Sequence, residues 1–493
     1  MENKDYKKEF NVQKSMAKGS IWSFSMRITQ VILEFTKLII VAYIITPRDF
    51  GLLGIALLII SILETVFQMG FNLALIQKKE DIKVLVDSAW TFSIIRGLII
   101  FLILFISAPY FAIIFNEPES TTITQIIGLG ILFDCFKNIS VMYFQKELDF
   151  KKQFIYFVSG YLIDFFITIT FIIVFKNLWA YVFGILIGKL SFMMMSYIMG
   201  PYKPRFNFNL KNGKELFAFS KWILISNIFV FLILQGDDIF VGILLGATTL
   251  GFYQMAYKIS NLPATEIAGV FDNFNFPLYS KFQDDPVSLN EIFSRSHNLI
   301  NFLVIPIAFL FFFLGYDIIK IVLGEQWLPI VPIFQILSIW AFLRSNSKNL
   351  SIFFTAIGKP KINTFAQGIQ ILILFVLIYP LLISFGLLGV AVAVVLSAIV
   401  ILFIRVFIFL KITSFNLYNY LKPILLQLIF AFLSLLPIFF IQLFLIDIIN
   451  YLSTILCVGI YGAFYIFINF FVDKYSNYNI IKIIKEMFYS LKP

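Results

Sequence analysis

The chain has few charged residues. Of its 493 residues, 13% are charged and 60% are hydrophobic, whereas a soluble domain carries about 25% charged residues. Its mean hydropathy is +0.92, and its polar side chains are too few to cover the surface of a soluble core. Lipid must therefore be part of the solvent, and the composition predicts an all-α polytopic membrane protein.

Cysteine and histidine are almost absent. Cys135 and Cys457 both fall inside apolar segments, and their spacing fits neither a zinc site nor a disulfide framework. One histidine, His297, cannot build a metal site, and its polar surroundings predict a loop position. The sequence also lacks a G-x-x-x-x-G-K-[ST] phosphate loop. We therefore predict no metal, no cofactor and no catalytic residue.

Long apolar runs fill most of the chain. About 20 mainly apolar residues are needed to cross about 30 Å of hydrocarbon, and fourteen segments meet this requirement. The predicted spans are 20–45, 51–76, 85–115, 121–144, 153–175, 178–200, 215–243, 249–280, 294–315, 329–357, 362–384, 387–410, 421–446 and 451–473. Residues 1–19 are polar and basic, and no cleavage site follows the first run, so we expect the first helix to stay in the membrane.

Lysine and arginine are distributed unequally between the two sides that these spans define. With the N-terminus in the cytoplasm, twenty-five of them fall on the cytoplasmic side and three, Arg48, Lys176 and Lys320, on the opposite side. This bias follows the positive-inside rule and predicts that both termini are cytoplasmic. Because topology explains the net charge of +10, we predict no nucleic-acid partner.

Short motifs recur at a nearly constant distance. The gap 45–51 before span two resembles the gap 245–251 before span eight, and two further matches have offsets of 211 and 209 residues. They predict two six-helix lobes in parallel order, followed by two C-terminal helices. The predicted parts are the N-terminal lobe 1–200, a cytoplasmic linker 201–214, the C-terminal lobe 215–411, and helices 13 and 14 with the tail, 412–493. Such repeats are typical of secondary transporters, which bind substrate between the repeats.

Polar side chains form stripes on equivalent helices of the two predicted lobes. Charges inside a span face a partner or an aqueous cavity, and the helical period places Arg27, Glu34 and Lys37 on one face of span one. Spans two, seven, eight and ten carry similar stripes. The excess of cations predicts a cavity that binds an anionic cargo such as phosphate.

The predicted substrate-binding cations are Arg27, Lys37, Lys221, Lys258, Arg344 and Lys348. The other polar cavity residues, some of which could couple transport to an ion, are Glu34, Glu64, Gln68, Asp238, Gln254, Asn261 and Asp272.

Several charges have an alternative role as ion pairs that hold helices together. Glu34 could pair with Arg27 or with Lys37 on its own helix. Lys137 follows Asp134 by three residues and is a candidate partner for it. Likewise, Asp164 on span five and Lys189 on span six are candidate partners for each other.

The placement of glycine, proline and aromatic residues resembles that of a known family. The motifs are Thr46-Pro47-x-x-Phe50-Gly51, Gly70-Phe71-x-x-Ala74-Leu75-Ile76-Gln77, and Leu250-Gly251-Phe252-Tyr253-x-x-Ala256-Tyr257-Lys258 with Leu262-Pro263. Over about residues 15–475 the chain resembles the polysaccharide-transporter family of Wzx-type flippases, within the multidrug/oligosaccharidyl-lipid/polysaccharide exporter superfamily. The resemblance implies two six-helix lobes, alternating access and a cavity lined by helices one, two, seven and eight.

The resemblance also implies a polyprenyl-pyrophosphate-linked oligosaccharide as cargo, moved from the inner to the outer leaflet of a bacterial cytoplasmic membrane. Protons, sodium ions or the membrane potential could drive transport, and a polysaccharide polymerase is a possible partner. Two alternatives stay open: a multidrug or other small-molecule exporter of the same superfamily, and a lipid II flippase-like transporter. An enzyme of polysaccharide synthesis is disfavoured because the largest outer gap, 316–328, is too short to build a catalytic site.

Overall fold

The computed structural model describes the backbone of residues 2–67, 83–208, 210–444 and 451–475. Side chains are described for 22–67, 86–208, 227–439 and 454–474, except 267, 268, 270, 272 and 273. This part of the chain is mainly helical and contains no strand. The predicted all-α class is therefore confirmed.

The helices follow one another with short connections. They are α1 (Glu2–Ile44), α2 (Pro47–Val66), α3 (Lys83–Ile114), α4 (Ser120–Phe136), α5 (Tyr143–Lys146), α6 (Phe150–Phe175), α7 (Leu178–Met199), α8 (Leu210–Ser260), α9 (Ala268–Lys281), α10 (Pro286–Phe313), α11 (Gly315–Val322), α12 (Val331–Ala356), α13 (Pro360–Phe385), α14 (Leu387–Ile412), α15 (Leu417–Phe444) and α16 (Tyr451–Tyr475). Turns of 3₁₀ helix precede α5 (Ile139–Met142) and α12 (Glu325–Ile330), and a π-helical turn (Pro263–Ile267) precedes α9.

Many of these helices are long and apolar enough to cross a bilayer. Within the described residues eleven helices meet that test, and a twelfth does if α4 and the segment after it, which bend by 63°, form one broken span. Large apolar side chains point outward on them: Leu372 and Val376 of α13 are 68% and 70% exposed, and Phe403 of α14 is 71% exposed. Exposing such a large apolar surface to water would be unfavourable, so lipid covers it. The chain is a multi-pass membrane protein, and the count of fourteen spans stays a prediction.

Helix boundaries follow ordinary capping chemistry. Thr46 accepts a hydrogen bond from the Asp49 amide, and Pro47 occupies the first turn of α2. Asn177 caps α7 in the same way, by accepting from the amide of Ala180. Between α13 and α14, Gly386 adopts φ +58°, a conformation that favours glycine and lets the chain reverse.

The long helix α8 is a hairpin of two arms. Gly246, at φ 81° and ψ 175°, interrupts its helical backbone. Sixteen residues of straight helix would separate Asp238 from Gln254 by about 24 Å, yet the Gln254 amide donates to the Asp238 carboxylate at 3.0 Å. The chain therefore turns back at Gly246, which is where the sequence predicts the gap between spans seven and eight.

The chain divides into two compact units. Unit 1 contains Met1–Phe231, Gly242–Gly251 and Pro493, and unit 2 contains Leu232–Val241 and Phe252–Lys492. In unit 1, α1, α6 and α7 meet at a small apolar core formed by Val41, Ile45, Ile172 and Ala180. In unit 2, a larger core includes Phe293, Phe353, Phe409 and Tyr420.

The predicted loop position of His297 is wrong. This histidine lies in α10, is 1% exposed and stacks on Tyr420, with their ring centroids 4.4 Å apart. Its Nε2 lies 2.9 Å from the Tyr420 carbonyl oxygen. The polar residues around it form a buried hydrogen-bonded network with Asn301 and Asn346, so local polarity here indicates packing between helices and not a loop.

Two glycines of the recurring gap motif make a reciprocal contact inside unit 1. A Cβ built on Gly51 would lie 1.7 Å from the Ala247 carbonyl oxygen, and one built on Gly251 would lie 2.1 Å from that of Pro47. Position 247 corresponds to 47, and 251 to 51, at the repeat offset of 200. The contact is therefore pseudosymmetric, and the backbones approach too closely for any other residue.

Candidate functional site

A polar ladder runs along α1 in unit 1. Arg27 Nη1 donates to Gln30 Oε1 at 3.1 Å, and Gln30 Nε2 donates to Glu34 Oε1 at 2.9 Å. Arg27 and Glu34 are exposed. Gln30 thus links the two charges, and the predicted stripe on this helix forms one continuous polar face.

Lys37, at the C-terminal end of the same stripe, forms an ion pair with a residue of α6. Its ammonium group pairs with the Asp164 carboxylate, and the two side chains are only 16% and 14% exposed. The alternative pairing of Asp164 with Lys189 is therefore wrong. Gly188 on α7 makes this arrangement possible, because a Cβ there would lie 2.2 Å from Asp164 Oδ1.

Asp134 of α4 holds two lysines. Lys137 Nζ and Lys189 Nζ each lie 2.6 Å from one of its carboxylate oxygens. The pairing of Asp134 with Lys137 is thus confirmed, and Lys189 joins it from α7. Glu64 of α2, a predicted cavity residue, interacts electrostatically with all three of these groups.

In unit 2, two adjacent carboxylates lie between the arms of α8. The Tyr253 hydroxyl donates to Asp237, and Gln254 donates to Asp238. Oδ1 of Asp237 is buried and has no hydrogen-bond partner. Among the described residues, no lysine or arginine forms an ion pair with either carboxylate, so this pair of acids is not balanced as Asp164 is.

The predicted cation Arg344 on α12 lies over an aromatic ring. Its guanidinium lies 4.9 Å from the ring centroid of Trp340, and the Tyr257 ring packs against the same indole at a tilt of 43°, with centroids 4.7 Å apart. Such a contact stabilises a cation without neutralising it. Trp340 was not predicted as a site residue, although its position one helical turn before Arg344 was a usable signal.

The remaining predicted site residues do not form a single cluster among the described residues. Lys258 is exposed and Lys348 is half-buried, with its Nζ 3.9 Å from the position a Gly269 Cβ would take. Asn261 is 8% exposed, and its Oδ1 is buried without a hydrogen-bond partner. Gln68 and the side chains of Lys221 and Asp272 lie outside the described residues.

The described site residues divide between the two units. Arg27, Glu34, Lys37 and Glu64 lie in unit 1, whereas Asp238, Gln254, Lys258, Asn261, Arg344 and Lys348 lie in unit 2. In the part of the chain that is described, no three His, Cys, Asp or Glu side chains are grouped to hold a metal. The arrangement offers fixed cations, hydrogen-bond donors and one acid pair, a combination suited to binding charged ligands.

Charged side chains inside apolar helices define a class: polytopic membrane proteins that handle a polar or charged ligand within the bilayer. Sequence comparison then assigns the family. Residues 40–332, more than half of the chain, match the family model of the polysaccharide biosynthesis proteins. The chain belongs to this family.

Individual relatives are similar to the chain in sequence, and solved structures are similar to it in fold. The chain is 23% identical over 333 residues to the lipopolysaccharide biosynthesis protein WzxC of Escherichia coli K12, covering 66% of this chain and 67% of WzxC. The fold of the lipid II flippase MurJ, in an inward closed conformation, covers 92% of this chain and 99% of MurJ at TM-score 0.75 and 18% identity. An inward-facing multidrug-resistance MATE transporter of the MOP superfamily matches with TM-score 0.59 and 15% identity, over 80% of this chain and all of that one.

Proposed function

We propose that the protein is a flippase that moves a polyprenyl-pyrophosphate-linked oligosaccharide from the inner to the outer leaflet of a bacterial cytoplasmic membrane by alternating access. One observation carries the proposal: in a member of a polysaccharide biosynthesis family, helices of both units carry cations, Arg27 on α1 and Arg344 on α12. A pyrophosphate group is the part of such a cargo that these cations would recognise.

Two competing cargoes of the same fold are less well supported. A multidrug exporter of cationic compounds should present acidic or aromatic surfaces, whereas five of the described candidate residues are cations. A lipid II flippase-like role is favoured by the MurJ fold but not by the family assignment, which rests on sequence. An enzymatic role would need a catalytic group, and we propose transport without covalent chemistry.

The test is a gene deletion rescued by wild type or by Arg27→Ala, Lys258→Ala or Arg344→Ala, at matched membrane abundance. We expect the deletion to accumulate the lipid-linked repeat unit on the inner leaflet and to lose surface polysaccharide. The three variants should rescue poorly, whereas Lys152→Ala, an exposed surface lysine paired with Asp149, should rescue fully. Unchanged surface polysaccharide with reduced dye efflux would favour the multidrug exporter.

We further propose that the acid pair Asp237–Asp238 couples transport to a proton or a sodium ion. A carboxylate inside a membrane span needs a compensating charge or a proton, and the unsatisfied Oδ1 of Asp237 offers a place for either. If Asp237→Asn and Asp238→Asn abolish export, removing sodium or adding a protonophore to wild-type cells will identify the ion. Export by either variant at the wild-type rate would exclude this role.

A further inference from the structure

Unit 1 contains a group of charges that the predicted substrate residues do not include. Arg96 of α3, Asp134 of α4, Lys137 just after α4 and Lys189 of α7 all interact electrostatically with Glu64 of α2. Within the described residues this group holds three cations and two carboxylates from four elements, so its cations outnumber its carboxylates by one. A surplus cation inside a membrane domain is expensive unless it serves a ligand.

The cations of this group are unequally satisfied. Lys137 and Lys189 share the single carboxylate of Asp134, each at 2.6 Å. Arg96 has a neutral partner, the Cys135 sulfur, at 3.7 Å from Nη2, and its Nε is buried with no hydrogen-bond partner. One carboxylate therefore serves two ammonium groups, while a neighbouring guanidinium has no ion pair within the described residues.

The helical backbone is interrupted next to these charged groups. α4 ends at Phe136, and Lys137 has an extended conformation, φ −52° and ψ 140°, before the chain bends by 63°. Gly130, one turn before Asp134, leaves room for Lys189 to cross the helix, because a Cβ there would lie 2.6 Å from Lys189 Cδ. Broken membrane helices commonly surround ion and substrate sites in transporters.

The three paired side chains are also accessible. Asp134, Lys137 and Lys189 are 30%, 31% and 29% exposed, about twice as much as the Lys37–Asp164 pair. The Lys37–Asp164 pair is shielded from water to a greater extent. The more open triad can exchange its carboxylate for another anion of similar geometry.

We propose that Lys137, Lys189 and Arg96 form a binding site for a phosphate-type oxyanion, and that Asp134 is an internal counter-ion that this oxyanion displaces. Phosphate oxygens accept short charge-assisted hydrogen bonds from lysine and arginine, as the Asp134 oxygens do here. The site rests on the proposed function insofar as the oxyanion is the pyrophosphate of the cargo. Return of Asp134 to the lysines would then promote release.

The first test is calorimetric binding of inorganic pyrophosphate to the purified full-length chain. Lys137→Gln and Lys189→Gln should each weaken binding about tenfold, the value of one lost charge-assisted hydrogen bond. Asp134→Asn should strengthen binding, because it removes the competing anion. Lys137→Arg should retain binding, and Lys152→Gln should match wild type; a melting temperature recorded for each variant identifies any that fail to fold.

Two results would overturn the proposal. If Asp134→Asn folds but binds pyrophosphate no better than wild type, the carboxylate does not compete with the ligand. If folded Lys137→Gln and Lys189→Gln both bind as wild type does, the lysines are not its ligands. In either case the triad is an ion pair that joins α4 to α7.

Repeating the measurement in nanodiscs separates cargo phosphate from membrane phosphate. If the cargo supplies the oxyanion, pyrophosphate should bind equally well in phosphatidylcholine and in phosphatidylglycerol discs. Loss of binding in phosphatidylglycerol at an ionic strength that screens the surface charge would assign the site to a lipid headgroup and overturn the cargo assignment. Failure of the flippase proposal is distinguishable, because gene deletion would then leave surface polysaccharide intact while purified protein still binds pyrophosphate.

Discussion

At the residue scale, ion pairing decides which charges remain available for a ligand. Lys37 was predicted to bind substrate, but it pairs with Asp164 at low exposure. Removing one partner leaves an uncompensated charge, which destabilises a protein by about 3 kcal/mol or more. We therefore expect Lys37→Met and Asp164→Leu each to lower the melting temperature in detergent markedly.

The double variant Lys37→Met/Asp164→Leu is the control for this expectation. Replacing both charges leaves no orphan, so the double variant should be more stable than either single variant. If it also restores export, Lys37 is structural. Restored stability without restored export would instead assign Lys37 to the cargo, and single variants as stable as wild type would contradict the pairing itself.

At the element scale, the sequence predicted where helices lie better than how they meet. Apolar length located the spans, and the hairpin at Gly246 falls in the predicted gap 245–251. Periodicity gives the direction of a side chain but not the distance between helices, so it could not tell that Asp164 pairs with Lys37 and Lys189 with Asp134. The polar residues around His297 predicted a loop, because polarity alone does not distinguish a solvent-exposed segment from a buried hydrogen-bonded network.

The reciprocal glycine contact leads to a prediction about packing between elements. A Cβ on Gly51 or Gly251 would collide with fixed backbone at 1.7 or 2.1 Å, so Gly51→Ala and Gly251→Ala should each destabilise the protein by about 1–3 kcal/mol, as overpacking does. Thermal unfolding in detergent measures this. Gly368→Ala on α13 is the matched control, since nothing lies within 4 Å of its Cβ; an equal loss in this variant would show that the contact has no special role.

At the scale of the whole molecule, the orientation in the membrane decides which side each loop faces. The positive-inside bias predicts that Lys152, before α6, faces the cytoplasm and that Lys176, after α6, faces outward. Both are exposed, and both native cysteines are buried, so single cysteines introduced there report sidedness against a low background. A membrane-impermeant thiol reagent should label Lys176→Cys in intact spheroplasts and Lys152→Cys only after lysis.

This orientation also decides which side of the membrane the lysine-rich segments face. If the proposed flippase loads from the cytoplasmic leaflet, its cations must first face the pyrophosphate of the proposed cargo from that side. If the labelling pattern were reversed, the charge bias would have been misread and inner-to-outer transport would lose its topological support. The predicted pattern would instead place the lysine-rich segments on the cytoplasmic side, where the proposed cargo is loaded. The same charge bias would then both fix the topology and attract an anionic cargo at the point of loading.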